Sequence, residues 1–130
     1  MSIAEMLKTS RTIAVVGLSP KRYRPSYGVS EYMKRAGYKI IPVNPGHAEL
    51  LGETCYPDLD AVPDAIDIVD IFRRSEYVPE IVEAAIRKGA KAIWMQEGVV
   101  HEEAAERARA AGLSVVMDRC ILKEHRRLAF

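Results

Sequence analysis

The chain has 130 residues, 48% of them apolar and 28% charged, which supplies one hydrophobic core and falls short of two independent ones. Nineteen Lys and Arg face 18 Asp and Glu, a net charge of +1, so no global basic field draws nucleic acid and no acidic excess signals a solvated tail. No apolar run approaches the roughly 20 residues that a membrane crossing requires.

Taken in chain order, residues 1–10 predict a leading helix, in which Glu5 and Lys8 interrupt what would otherwise be a signal-peptide core. Residues 12–17 read as a first strand. A helix opening near Ser26 follows, with Val29, Tyr32, Met33 and Ala36 at i, i+3, i+4 and i+7. Gly37 stops it and residues 38–43 read as a second strand. Residues 44–65 are broken by Pro45, Gly46, Gly52, Pro57 and Pro63 and predict only a short turn or helix. Residues 66–72 form a third strand, whose Asp67 and Asp70 need an explanation if it is central. The helical stripe Val78, Ile81, Val82, Ala85 ends at Gly89 and leads into a strand over 91–95. A narrow stripe of Ala104, Ala105, Ala108 and Ala111 ends at Gly112 and leads into a strand over 113–117, and a short helix over 121–128 closes the chain.

The thrice-repeated order of helix, glycine stop and strand is the strongest signal. Gly suits the left-handed position beyond a helix end, and the Arg and Lys just before Gly37 and Gly89 complement the negative end of the helix dipole. Five strands interleaved with helices predict a single α/β domain over residues 1–130, a doubly wound Rossmann-like fold with a mainly parallel sheet. Two cysteines, Cys55 and Cys120, with no Cys-x-x-Cys pair, leave a reduced, cytoplasmic setting as the simpler expectation.

In such a sheet ligands bind beyond the C-terminal strand ends, around the loop after the first strand. That loop reads Gly17-Leu18-Ser19-Pro20-Lys21-Arg22-Tyr23-Arg24-Pro25 and opens onto a helix at Ser26. Gly17 allows a tight turn, Ser19 and Ser26 offer hydroxyls and N–H groups at a helix start, and Lys21, Arg22 and Arg24 add three cations with no acid among them. A polyanionic phosphate ligand fits this loop. The fingerprint Gly-x-Gly-x-x-Gly is absent, with Ser at 19 and Arg at 22, and the second strand ends Pro42-Val43-Asn44-Pro45 without the carboxylate that binds a ribose diol in NAD sites. Gly-x-x-x-x-Gly-Lys-Ser/Thr is absent as well.

From about Arg11 to Leu128 the chain resembles the small stand-alone CoA-binding proteins, similar in fold to the N-terminal domain of the succinyl-CoA synthetase alpha subunit. The resemblance is carried by Val16-Gly17-Leu18-Ser19-Pro20 with Arg24-Pro25-Ser26, by Gly37-Tyr38 and Pro42-Val43-Asn44-Pro45, by Asp70-Ile71-Phe72-Arg73-Arg74, by Trp94-Met95-Gln96-Glu97-Gly98 and by Val116-Met117-Asp118-Arg119-Cys120. It implies that Gly17, Ser19, Arg24 and Ser26 hold phosphates, with Lys21 in the same loop. It further implies that Asn44 and Pro45 border the adenosine and that Phe72 and Arg73 form another wall. Nothing in the sequence matches the phosphorylated histidine of the synthetase.

His47, His101 and His125 are scattered, with His101 expected at a helix start, and no positioned partner marks any of them as a base. Asp64, Asp67 and Asp70 recur every three residues, out of step with a strand's period of two, which argues against a metal cluster. Trp94 reads as core packing, Gln96 and Gly98 fall toward the ligand edge, and Cys120 reaches the same edge. The resulting reading is a protein that binds CoA or acyl-CoA without catalysis. Its competitors are a subunit of an acyl-CoA-handling enzyme and an interaction module that senses NAD(P) or another adenine nucleotide. A protein partner or homo-oligomer is left open.

Overall fold

In the computed structural model, which describes residues 1–128, the chain begins with α1 (Ile3–Thr9). Its Ser2 cap accepts the Glu5 N–H at 3.1 Å while donating to the Glu5 carboxylate. There follow β1 (Thr12–Val16), α2 (Pro25–Arg35), β2 (Lys39–Val43), a two-stranded hairpin of β3 (Glu49–Leu50) and β4 (Glu53–Thr54), and a 3-10 turn at Leu59–Ala61. The second half comprises β5 (Ile68–Ile71), α3 (Val78–Lys88), β6 (Ala92–Met95), α4 (Glu102–Ala110), β7 (Ser114–Val116) and α5 (Ile121–Leu128).

Five strands form a parallel sheet in the order β2-β1-β5-β6-β7, the Rossmann-like α/β arrangement that the sequence predicts. One sheet face packs on α1, α2 and α5 through Met6, Leu7, Val29, Met33 and Ile121. The other packs on α3 and α4 through Val78, Val82, Ala85, Ala105 and Ala108. Because the chain runs from β1 outward to β2 and then returns to β5 on the other side of β1, strand order reverses between β1 and β5. A crevice opens there at their C-terminal ends.

Three expectations change. Residues 44–65 hold a hairpin as well as a turn, and the crossover to β5 passes over the α3 side with Leu59, Val62 and Ile66 in the core. Ala36 and Ala111 are exposed, since each is the residue at which its helix ends. In α2 the buried stripe is instead Ser26, Val29, Ser30 and Met33. Of the three aspartates, Asp64 pairs with Lys39 at 2.6 Å, and Asp67 accepts the N–H groups of Arg11 and Thr12 at 2.8 and 3.0 Å. Asp70 lies buried in the sheet between Val15 and Trp94. Among the described residues no helix is long and apolar enough to cross a membrane.

Candidate functional site

The floor of the crevice is set by one glycine. Gly17 adopts φ +94°, and a Cβ built on it would sit 2.6 Å from the Phe72 carbonyl oxygen and 3.0 Å from Arg73 Cδ. Its N–H donates to Val43 O at 2.9 Å, while the Phe72 N–H donates to Val16 O at 2.9 Å. The first turn after β1 is thereby tied to both neighbouring strands.

Beyond Gly17 the loop is held by its serines. The Ser19 N–H donates to Ser26 Oγ at 3.0 Å, and the Lys21 N–H donates to Ser19 Oγ at 3.1 Å. The N–H of Ser19, read from sequence as free for a ligand, is therefore used within the loop, and the buried Ser26 anchors it to α2. Pro25 occupies the first turn of that helix and no side chain caps it, so its positive end faces the crevice without a protein anion.

Lys21, Arg22 and Arg24 are exposed. Among the described residues none of them, nor Arg73, enters an ion pair, in contrast to Lys34, Lys39, Arg87, Arg107 and Lys123, which pair with Glu53, Asp64, Asp60, Glu83 and Glu97. Arg22 lies 5.8 Å from the Tyr27 ring centroid, Arg24 lies 5.8 Å from that of Tyr23, and Arg73 stacks at 4.3 Å over Tyr77. Aromatic faces hold these guanidiniums without neutralising them.

Two depressions meet here. A cavity of about 480 Å³ is lined by Gly17, Ser19, Lys21, Arg24, Ser26, Phe72 and Arg73, and also by Pro25, Val29, Gln96, Glu97, Val99 and Cys120. A second, of about 590 Å³, is lined by Asn44 and Pro45 with Gly17, Arg73 and residues such as Asp58, Asp60, Glu80 and Arg87. Gly17 and Arg73 line both. Seven of the nine residues singled out from sequence thus share one cavity, and Asn44 and Pro45 lie in the adjoining one. Arg22 lines neither.

Asn44 is partly committed to structure. Its Nδ2 donates to Leu18 O at 2.8 Å and its N–H to Tyr56 O at 2.9 Å. Its carbonyl accepts from the Cys55 thiol at 3.4 Å, a thiol that burial pushes up in pKa. Both cysteines are free and buried. His101 caps α4 by accepting the Ala104 N–H at 3.1 Å, and His125 lies 2.9 Å from the Tyr32 hydroxyl. Neither histidine lines either of these two depressions. Trp94 is buried and donates from Nε1 to Arg119 O at 2.8 Å.

Glu97 and Val99 were not read as site residues: Glu97 entered only within the segment Trp94-Met95-Gln96-Glu97-Gly98 that carries the resemblance, and Val99 lies just beyond it, in the loop after β6. The acid-rich wall of the second depression comes from the broken segment and from exposed positions of α3, where only the buried stripe was legible.

The CoA binding domain family matches residues 11–126. YneT of Bacillus subtilis (strain 168) is 45% identical over 123 residues, covering 95% of this chain and 91% of YneT. A solved structure from Pyrococcus horikoshii OT3 superimposes with a TM-score of 0.95 at 43% identity, over 98% of this chain and 90% of that one. The ADP-forming acetate–CoA ligase I of Archaeoglobus fulgidus is 26% identical over 127 residues, 90% of this chain but only 18% of the ligase. The chain therefore belongs to the CoA binding domain family.

Proposed function

We propose that the chain binds CoA or acyl-CoA across the two depressions and does not catalyse a reaction by itself. The adenosine lies against Asn44 and Pro45, and the phosphates lie over Gly17, Ser19, Lys21, Arg24 and Ser26. Phe72 and Arg73 stand between, and the remaining arm continues through the cavity toward Cys120. The observation that carries this reading is the set of unpaired cations around an uncapped helix start, continuous with a further cavity beyond them. A polyanion with a long arm uses both features.

NAD fits less well, because the residue after β2 is Asn44, whose amide nitrogen already donates to Leu18 O, where a ribose diol calls for a carboxylate. Titration calorimetry at equal salt is the test: CoA should bind more tightly than NAD, and NAD binding as tight as CoA would overturn the assignment. Kinship with the ligase favours a second reading, in which the chain presents an acyl-CoA to a catalytic partner. Acyl-CoA turnover that appears only on adding such a partner would favour it.

A further inference from the structure

Gln96 follows β6 directly and is only 4% exposed. Its Oε1 accepts the N–H of Ile121, the first residue of α5, at 3.1 Å. Because a backbone N–H can only donate, the atom facing it must be the oxygen, and this fixes which way the amide points. Nε2 has no hydrogen-bond partner among the described residues. Nor is it sealed away, since the buried side-chain atoms left without partners are Ser30 Oγ and Asp70 Oδ1. Gln96 lines the cavity, so its two remaining donors open onto that space.

A nine-tenths buried amide with a pinned oxygen and an unmet donor calls for a ligand acceptor. The cavity around it is walled by the apolar Val29 and Val99 and by Cys120. Away from the Lys21, Arg24 and Arg73 side of the same cavity, such a space suits an uncharged chain bearing carbonyl groups.

We infer that Gln96 is a specificity-determining residue for the arm of the ligand, donating from Nε2 to an amide carbonyl of the pantetheine chain. This rests on the CoA reading above and adds to it the group that selects a nucleotide carrying a secondary-amide arm over the same nucleotide without one.

The test pairs CoA with adenosine 3′,5′-bisphosphate, which keeps the nucleotide and lacks the arm. Wild type should bind CoA more tightly than the bisphosphate. Gln96→Glu keeps an oxygen toward Ile121 and removes the donor, and Gln96→Met removes donor and acceptor at similar size. In both variants CoA affinity should fall about tenfold or more, with bisphosphate affinity unchanged. The inference is overturned if both variants bind CoA as wild type does, if the two ligands weaken equally, or if wild type does not distinguish them. In the last case the CoA reading survives, whereas failure of wild type to bind either ligand removes both.

Discussion

The carbonyl oxygen of Phe72 occupies the space that a Cβ on Gly17 would need, at 2.6 Å. The obstructing atom is backbone and cannot rotate away, and φ +94° at residue 17 is a conformation that side-chain-bearing residues rarely adopt. The ends of β1 and β5 can therefore close on one another only with glycine here. Gly17→Ala should lose about 1–3 kcal/mol from the backbone conformation alone, and CoA affinity should fall with it because the crevice floor must shift. Gly28, inside α2 with nothing within 4 Å of its missing Cβ, is the control. Gly28→Ala should gain about 0.5–1 kcal/mol through helix propensity. Urea unfolding and calorimetry on both variants decide the matter, and equal tolerance at the two positions would show that the close approach is dispensable.

Arg24 ends the loop at the start of α2, makes no side-chain capping bond and pairs with no acid among the described residues. Its removal should therefore leave the fold unchanged while removing a guanidinium from the phosphate region. Arg24→Ala should weaken CoA about tenfold or more, in line with roughly 1.5–3 kcal/mol for a hydrogen bond to a charged group. Arg24→Lys should recover only part of this, since an ammonium lacks the planar two-pronged donor. Calorimetry with a circular dichroism control reads both effects, and unchanged affinity in the alanine variant would take Arg24 out of the site.

The helix and strand order was legible because it is written locally: Val78, Ile81, Val82 and Ala85 repeat with the helical period, and Gly89 takes the left-handed φ of +72° that ends their helix. The hairpin was not legible. Its strands are two residues each, and the turn between them places both Leu51 and Gly52 at positive φ. That geometry is usually announced by Asn-Gly or Asp-Gly, and Leu in the first position gives no such sign. Within the site, residue types located the loop, but not the use of its groups. The bond from Ser19 N–H to Ser26 Oγ depends on how the loop folds back, and the direction of the Gln96 amide depends on Ile121, 25 residues away. Neither contact has a period or a spacing that a sequence displays.

Asp70 provides a test of the sheet beneath the site. It is 1% exposed, with Oδ1 unpartnered, and burial raises its pKa well above the usual 3.8. Asp67, three residues earlier, moves the other way: partial burial pushes it up, but the N–H groups of Arg11 and Thr12 and the Lys91 ammonium outweigh this and hold it below 3.8. For Asp70 the sign follows from proton uptake. Between 3.8 and its raised folded value the native state holds a proton that the unfolded chain has released, so stability is fully present below 3.8 and declines as pH rises toward the folded value. An amide at this position carries no charge at any pH and abolishes that decline. Asp70→Asn therefore shifts stability by a constant for its altered hydrogen bonding, plus a gain that grows with pH. Urea unfolding of both proteins at about pH 4 and about pH 8 isolates the second part, since the unfolded-state value lies near the lower of these. The variant should improve relative to wild type on going to the higher pH. A difference that stays constant across the range would mean that Asp70 titrates in the folded protein as it does in the unfolded chain.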